Sequence, residues 1–175
     1  MSTTTFQCSC CGAMIPGPPM SWHLEAPNVW LQLSPEEKTN SELLTDQCVI
    51  ENRDFLVRGV IEIPVLDGPE SFSWGVWVSL SEANYKRAAA AWNDPRRVNE
   101  PAYFGWLCNS LPDYPETLNL KTMVHTREVG LRSLIELEPT DHPLAVEQRK
   151  GITMSRVREI AEKIHHHNNR REDLR

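Results

Sequence analysis

The chain has 175 residues, of which 40% are hydrophobic and 24% charged, and a formal net charge of -6. That length suits one domain able to bury roughly 70% of its unfolded surface, so a core needs neither disulfides nor metal. The acidic balance speaks against nucleic-acid binding, and no apolar run approaches the ~20 residues of a membrane helix.

The first residues, Met1 to Phe6, lack the basic and apolar regions of a signal peptide, so a soluble cytoplasmic protein is expected. Five cysteines, three of them in Cys8-Ser9-Cys10-Cys11, suit a reducing compartment and a metal knuckle better than a disulfide framework. Residues 149–175 carry 8 basic and 4 acidic side chains, leaving 10 basic and 20 acidic for residues 1–148. A cationic end on a terminal helix reads as dipole complementation and a solvated face rather than an RNA-binding arm. His165-His166-His167 is followed by Asn168 through Arg175 and so reads as native sequence, able to bind metal adventitiously.

The pattern predicts an α+β protein, an antiparallel sheet built from hairpins with helices packed on it, entered through a zinc-knuckle-like N-terminal loop. Residues 1–28 read as the knuckle and a Pro-rich loop, 29–138 as helix, sheet and covering helix, and 139–175 as C-terminal helices. Pro16-Gly17-Pro18-Pro19 is a stiff connector. Ser34-Pro35-Glu36-Glu37 opens a short helix toward Leu44. Cys48 to Ile50 and Phe55 to Val65 form a hairpin whose Val57, Ile61 and Ile63 face the core, with Arg58 on the opposite parity as an anion contact or, the commoner use, a surface cross-strand charge.

Phe72 to Leu80 is a further strand carrying Trp74 and Trp77 on opposite faces, one of them exposed unless both faces are covered. Ser81 caps a helix through Trp92 that should cover one sheet face. Residues 93–117 read as irregular with one short element, and Leu118 to Arg127 with Leu131 to Glu138 as a second hairpin. Asp141-His142-Pro143 opens a helix that Gly151 ends. Thr153 caps a last helix in which Val157, Ile160, Ala161 and Ile164 recur at helical spacing.

Cys8-x-x-Cys11-Gly12 has the spacing of a zinc knuckle, in which two intervening residues let the backbone curl around the ion. Tetrahedral zinc needs four ligands, and with no second such pair the others must come from Cys10, Cys48, Cys108, His23, His125 or His142. Cys48 begins a strand where it can face a docked N-terminal loop, whereas Cys108 reads as an ordinary buried thiol. His125 reads as a structural histidine. Glu138, Asp141 and Glu147 near His142 offer carboxylates for acid–base work, though capping and loop-pinning are the commoner use of such residues. There is no phosphate-binding loop, nucleophile elbow, dinucleotide fingerprint or His-Glu-x-x-His helix.

Several longer motifs carry a resemblance: Cys8-x-x-Cys11-Gly12, Asp46-Gln47-Cys48-Val49-Ile50, Trp74-Gly75-Val76-Trp77, Phe104-Gly105-Trp106-Leu107, Tyr114-Pro115-x-Thr117-Leu118 and His142-Pro143-Leu144-Ala145-x-Glu147-Gln148. Together they resemble the bacterial domain-of-unknown-function family 2199 over nearly the whole chain. The resemblance implies an uncharacterised single-domain bacterial protein and points to Cys8, Cys11, Cys48 and His142 as a metal set. The family typically carries a histidine shortly after its knuckle, where this chain has Ile15.

The expectation is therefore a zinc-stabilised, non-enzymatic binding domain with a protein or small-molecule partner, without nucleic acid or membrane. Two alternatives stay open: a zinc-dependent hydrolase-like enzyme with an open metal position, and an acidic immunity-type protein that neutralises a basic partner.

Overall fold

The computed structural model describes residues 5–172, with side chains through His167. Strands β1 (Thr5–Gln7) and β2 (Met14–Pro16) form a small antiparallel hairpin that carries Phe6 opposite Ile15. Then come β3 (Ser21–His23), α1 (Asn28–Gln32) and α2 (Pro35–Thr39). In α2 the Ser34 hydroxyl accepts from the Glu37 N–H while the Glu37 carboxylate accepts from the Ser34 N–H, a reciprocal cap. This helix stops well short of Leu44 because Glu42–Leu43 pairs as a strand, β4, with β5 (Gln47–Ile50).

The centre is a five-stranded barrel of β6 (Asp54–Ile63), β7 (Phe72–Leu80), β8 (Tyr103–Leu107), β9 (Lys121–His125) and β10 (Ser133–Leu137). Each strand pairs antiparallel with the next, and β10 returns to β6 with Ser133 opposite Gly59 and Leu134 opposite Val60. In an up-and-down run of five strands the first and last point the same way, so the closing ladder has to be parallel. The hairpins are as expected from sequence, but the purely antiparallel sheet is not: closure is parallel, and β3 also joins β7 in parallel.

Closure needs Gly59. A β-carbon there would lie 2.4 Å from Ile135 Cδ1 and 2.9 Å from the Ser133 carbonyl oxygen, so the strands could not approach. Gly59→Ala is expected to destabilise the fold by about 1–3 kcal/mol, the range for overpacked cores, and urea denaturation reads it; an unchanged midpoint would contradict the closed barrel. Where β10 diverges from β6, Gln148 of α4 (Pro143–Lys150) takes over as a strand would. Its side-chain oxygen accepts from the Leu137 N–H at 2.9 Å and its amide donates to the Ile135 carbonyl at 2.7 Å.

Two apolar clusters result. The inner one joins Val57, Ile61, Trp74, Val78 and Ile135 to Leu144 of α4 and to Val157, Ile160 and Ile164 of α5 (Met154–Glu172). The second lies outside the barrel wall, where Trp77, Leu56, Cys48 and Ile50 pack beneath Val29, Trp30 and Leu33 of the α1 segment. Both tryptophans are buried because both faces of β7 are covered. Arg58, placed on the surface by its parity, is likewise buried at 8% exposure, with its guanidinium 5.8 Å from the centre of the Trp77 ring. Helix α3 (Glu82–Ala90) lies against β6 through Tyr85 and Ala88 without a fully buried residue. A 3-10 turn, Pro95–Asn99, follows it and leads into β8.

No helix of the described residues is long and apolar enough to cross a membrane.

Candidate metal centre

The β1–β2 turn curls tightly. Gly12 N–H donates to the Cys8 carbonyl at 3.0 Å, Cys8 N–H donates to the Ala13 carbonyl at 2.8 Å, and Gly12 holds a φ of +73° that a side chain would resist. This curl turns Cys8, Cys10 and Cys11 to one side. On an α-helix Glu162 and His166 are one turn apart, on the side opposite the buried stripe of Val157, Ile160, Ala161 and Ile164. There they meet the knuckle: Ser9 donates its N–H and its hydroxyl to the two Glu162 oxygens at 2.8 and 2.6 Å.

Four ligand atoms come together, the sulfurs of Cys8, Cys10 and Cys11 and a ring nitrogen of His166, all within 4.8 Å of one another. Cys8 Sγ lies 3.4 Å from Cys10 Sγ and 3.2 Å from His166 Nε2, and Cys10 Sγ lies 2.9 Å from the same nitrogen. Zinc–sulfur bonds of about 2.3 Å place tetrahedral sulfurs about 3.8 Å apart. The Cys8 and Cys10 sulfurs therefore sit a few tenths of an ångström closer together than in a liganded geometry, and Cys11 completes the group within 4.8 Å. The arrangement is compatible with a metal site.

The electrostatics already favour a thiolate. A hydrogen bond from the Cys11 backbone N–H, then the His166 ring and the Cys10 N–H, hold the Cys8 thiol down at about 6. The Cys8 side-chain hydrogen bond, burial and the charges of Cys8 and Cys11 push Cys10 up to about 11. Three thiolates in so small a space cannot all ionise without a counter-charge, which a divalent cation supplies. The Ser9 hydrogen bonds hold Glu162 below the usual carboxylate range, so it stays a charged anchor near neutral pH.

Of the residues singled out in the sequence, Cys8 and Cys11 are in this cluster and Cys48 and His142 are elsewhere. Cys48 is buried in the second apolar cluster, where burial pushes its thiol up to about 12. His142 caps α4, its Nδ1 accepting from the Leu144 N–H at 3.2 Å. Cys108 packs beside Cys48 and donates to the Trp106 carbonyl, while His23 lies over Gly75 and His125 pairs across the sheet with Glu136 at 2.7 Å. Two of the carboxylates near His142 are also engaged. Glu147 accepts from Tyr114 and Arg156, and Glu138 faces Lys121.

Cys10 is one of several further ligand candidates in the sequence, and His166 belongs to a histidine run that reads as native sequence with only adventitious affinity for metal. Its one sequence signal was its place four residues after Glu162 on the polar side of a helix, a pattern that solvated faces share.

Fold and site together define a small closed β-barrel whose C-terminal helix brings His166 to a three-cysteine knuckle from the other end of the chain. The chain belongs to the family described as uncharacterised protein conserved in bacteria, DUF2199, whose model matches residues 7–152. That span contains the three cysteines and ends before His166. No curated protein and no solved structure matches the chain.

Proposed function

We propose that Cys8, Cys10, Cys11 and His166 hold one zinc ion in a closed structural site, and that the protein is a non-enzymatic interaction domain built around it. The observation that carries this reading is the convergence of four protein donors from both ends of the chain. Three soft thiolates and an imidazole suit zinc, and four protein ligands complete its tetrahedron with no position left for water or substrate. A hydrolytic centre would need an open position and a free base beside it. The carboxylate that does stand at the knuckle, Glu162, is occupied by Ser9.

An interaction role is supported by the outer face of β8 and β9. Phe104, Trp106 and Met123 are 44%, 40% and 36% exposed, with Phe104 opposite Met123 in register and its ring centre 5.2 Å from that of Trp106. Aromatic and methionine side chains exposed together are the composition of protein-binding patches.

The test is the metal content of untagged protein purified without chelator, measured by elemental mass spectrometry. One equivalent of zinc is expected, and its loss in His166→Ala. Absence of zinc after expression in zinc-supplemented medium, with Cys8, Cys10 and Cys11 open to a thiol probe in the folded protein, would overturn the reading. Glu162→Ala, which removes the anchor and no ligand, is expected to weaken zinc affinity about 10–100-fold, as for other groups that orient ligands, in a competition titration against a chromophoric chelator.

A further inference from the structure

Two arginines are buried among the described residues, and they are neutralised differently. Arg58 has the charge of Arg132 and the opposing charges of Glu25 and Asp46 acting on it, and it lines the same small cavity as Arg97 with its own Nε buried without a partner. Arg97, in the 3-10 turn, is only 4% exposed and has no carboxylate of the described residues at ion-pairing distance. Its Nη1 donates to the Trp92 carbonyl at 2.7 Å and its guanidinium lies 5.1 Å from the centre of the Trp92 ring, while its Nε is buried without any partner. A buried cation with an unused donor is costly, and such groups in native proteins generally mark a water or an ion.

Arg97 lines a small cavity at the mouth of the barrel, closed by Ala88 and Ala91 from the α3 side and by Val57, Val124 and Tyr103 from the strands, with Thr126 and Ser133 in its wall. Its free volume is about 10 Å³, enough for roughly one water-sized species. The charged groups around it leave a positive excess. Glu100 is already claimed, since its Oε2 accepts from Arg87 at 2.8 Å and from the Tyr103 hydroxyl at 2.6 Å. With Arg87 and Glu100 cancelling, Arg97 and Arg58, which also lines the cavity, leave it positive.

We propose that the barrel mouth is a binding site for a small monatomic anion, chloride in the cell, held by Arg97. The free volume limits the occupant to a single small species, and the unpaired guanidinium sets its sign. A water molecule would supply the hydrogen bond but not the charge. Thr126 and Ser133 offer hydroxyl donors from the wall, and the ion would fasten the 3-10 turn and the end of α3 to the barrel.

The experiment follows thermal unfolding of the full chain in sodium chloride and sodium bromide against sodium gluconate at constant ionic strength. It is paired with anomalous diffraction from crystals grown in bromide. The expected result is a saturable rise in Tm with either halide, absent in gluconate and absent in Arg97→Met, and one bromide peak beside Arg97 Nε. The wild-type bromide map stands even if Arg97→Met fails to fold. Equal melting in halide and gluconate, with no anomalous peak at Arg97, would overturn the proposal and leave a water there.

Discussion

Stripping zinc from the protein with a strong chelator is expected to free the knuckle from α5 and leave the barrel folded. Among the described residues, the hydrogen bonds between residues 5–16 and the rest of the molecule run through the cluster itself and through the two Ser9–Glu162 bonds, both on the outward side of α5. The barrel is held independently by continuous ladders and its own apolar interior. Metal binding that organises a site contributes to stability wherever the site is absent from the unfolded chain. Hydrogen exchange should therefore show protection lost over residues 5–16 and the turns of α5 around His166, with strands β6 to β10 unchanged. Cys8→Ser should reproduce the pattern without chelator. Global unfolding on chelation would contradict an independent barrel, and unchanged exchange at the knuckle would contradict the metal tie.

Trp77→Ala is expected to be the most damaging single core substitution outside the barrel interior, costing about 3–5 kcal/mol, the range for a buried tryptophan or phenylalanine. The ring is fully buried and is the largest buried side chain of the outer cluster. Its loss also strands the Leu24 carbonyl, which accepts from the indole N–H at 3.1 Å, and uncovers the Arg58 guanidinium. Guanidinium chloride denaturation would read the change. A loss below about 1 kcal/mol would mean that the α1 segment does not seal that face.

Local structure was legible in the sequence wherever one chemical rule decided it. The serine caps at Ser34 and Ser81, the β6–β7 and β9–β10 pairings and the buried stripe of α5 follow from capping and periodicity. Closure was not legible, because nothing in a strand's alternation reveals which strand its free edge will meet. The signature of closure here is one glycine, Gly59, opposite Ser133. Arg58 shows a related limit: parity put it outside the barrel, but a second layer of α1 and β5 makes that outside another interior.

The site divides in the same way. Cys8-x-x-Cys11-Gly12 announces a knuckle because the spacing is dictated by the ion. The donor from the far end of the chain announces nothing, since His166 lies 158 positions from Cys8 and occupies the polar side of its helix. Cys48 and His142 sit within well-patterned segments for other reasons, one filling an apolar layer and the other capping a helix.

Zinc-edge X-ray absorption on the loaded protein reads the proposed coordination of one metal by three sulfurs and one histidine nitrogen. Three sulfur neighbours at about 2.3 Å and one nitrogen at about 2.0–2.1 Å are expected, with the nitrogen replaced in His166→Ala. Two or fewer sulfurs, or a spectrum unchanged by His166→Ala, would contradict it.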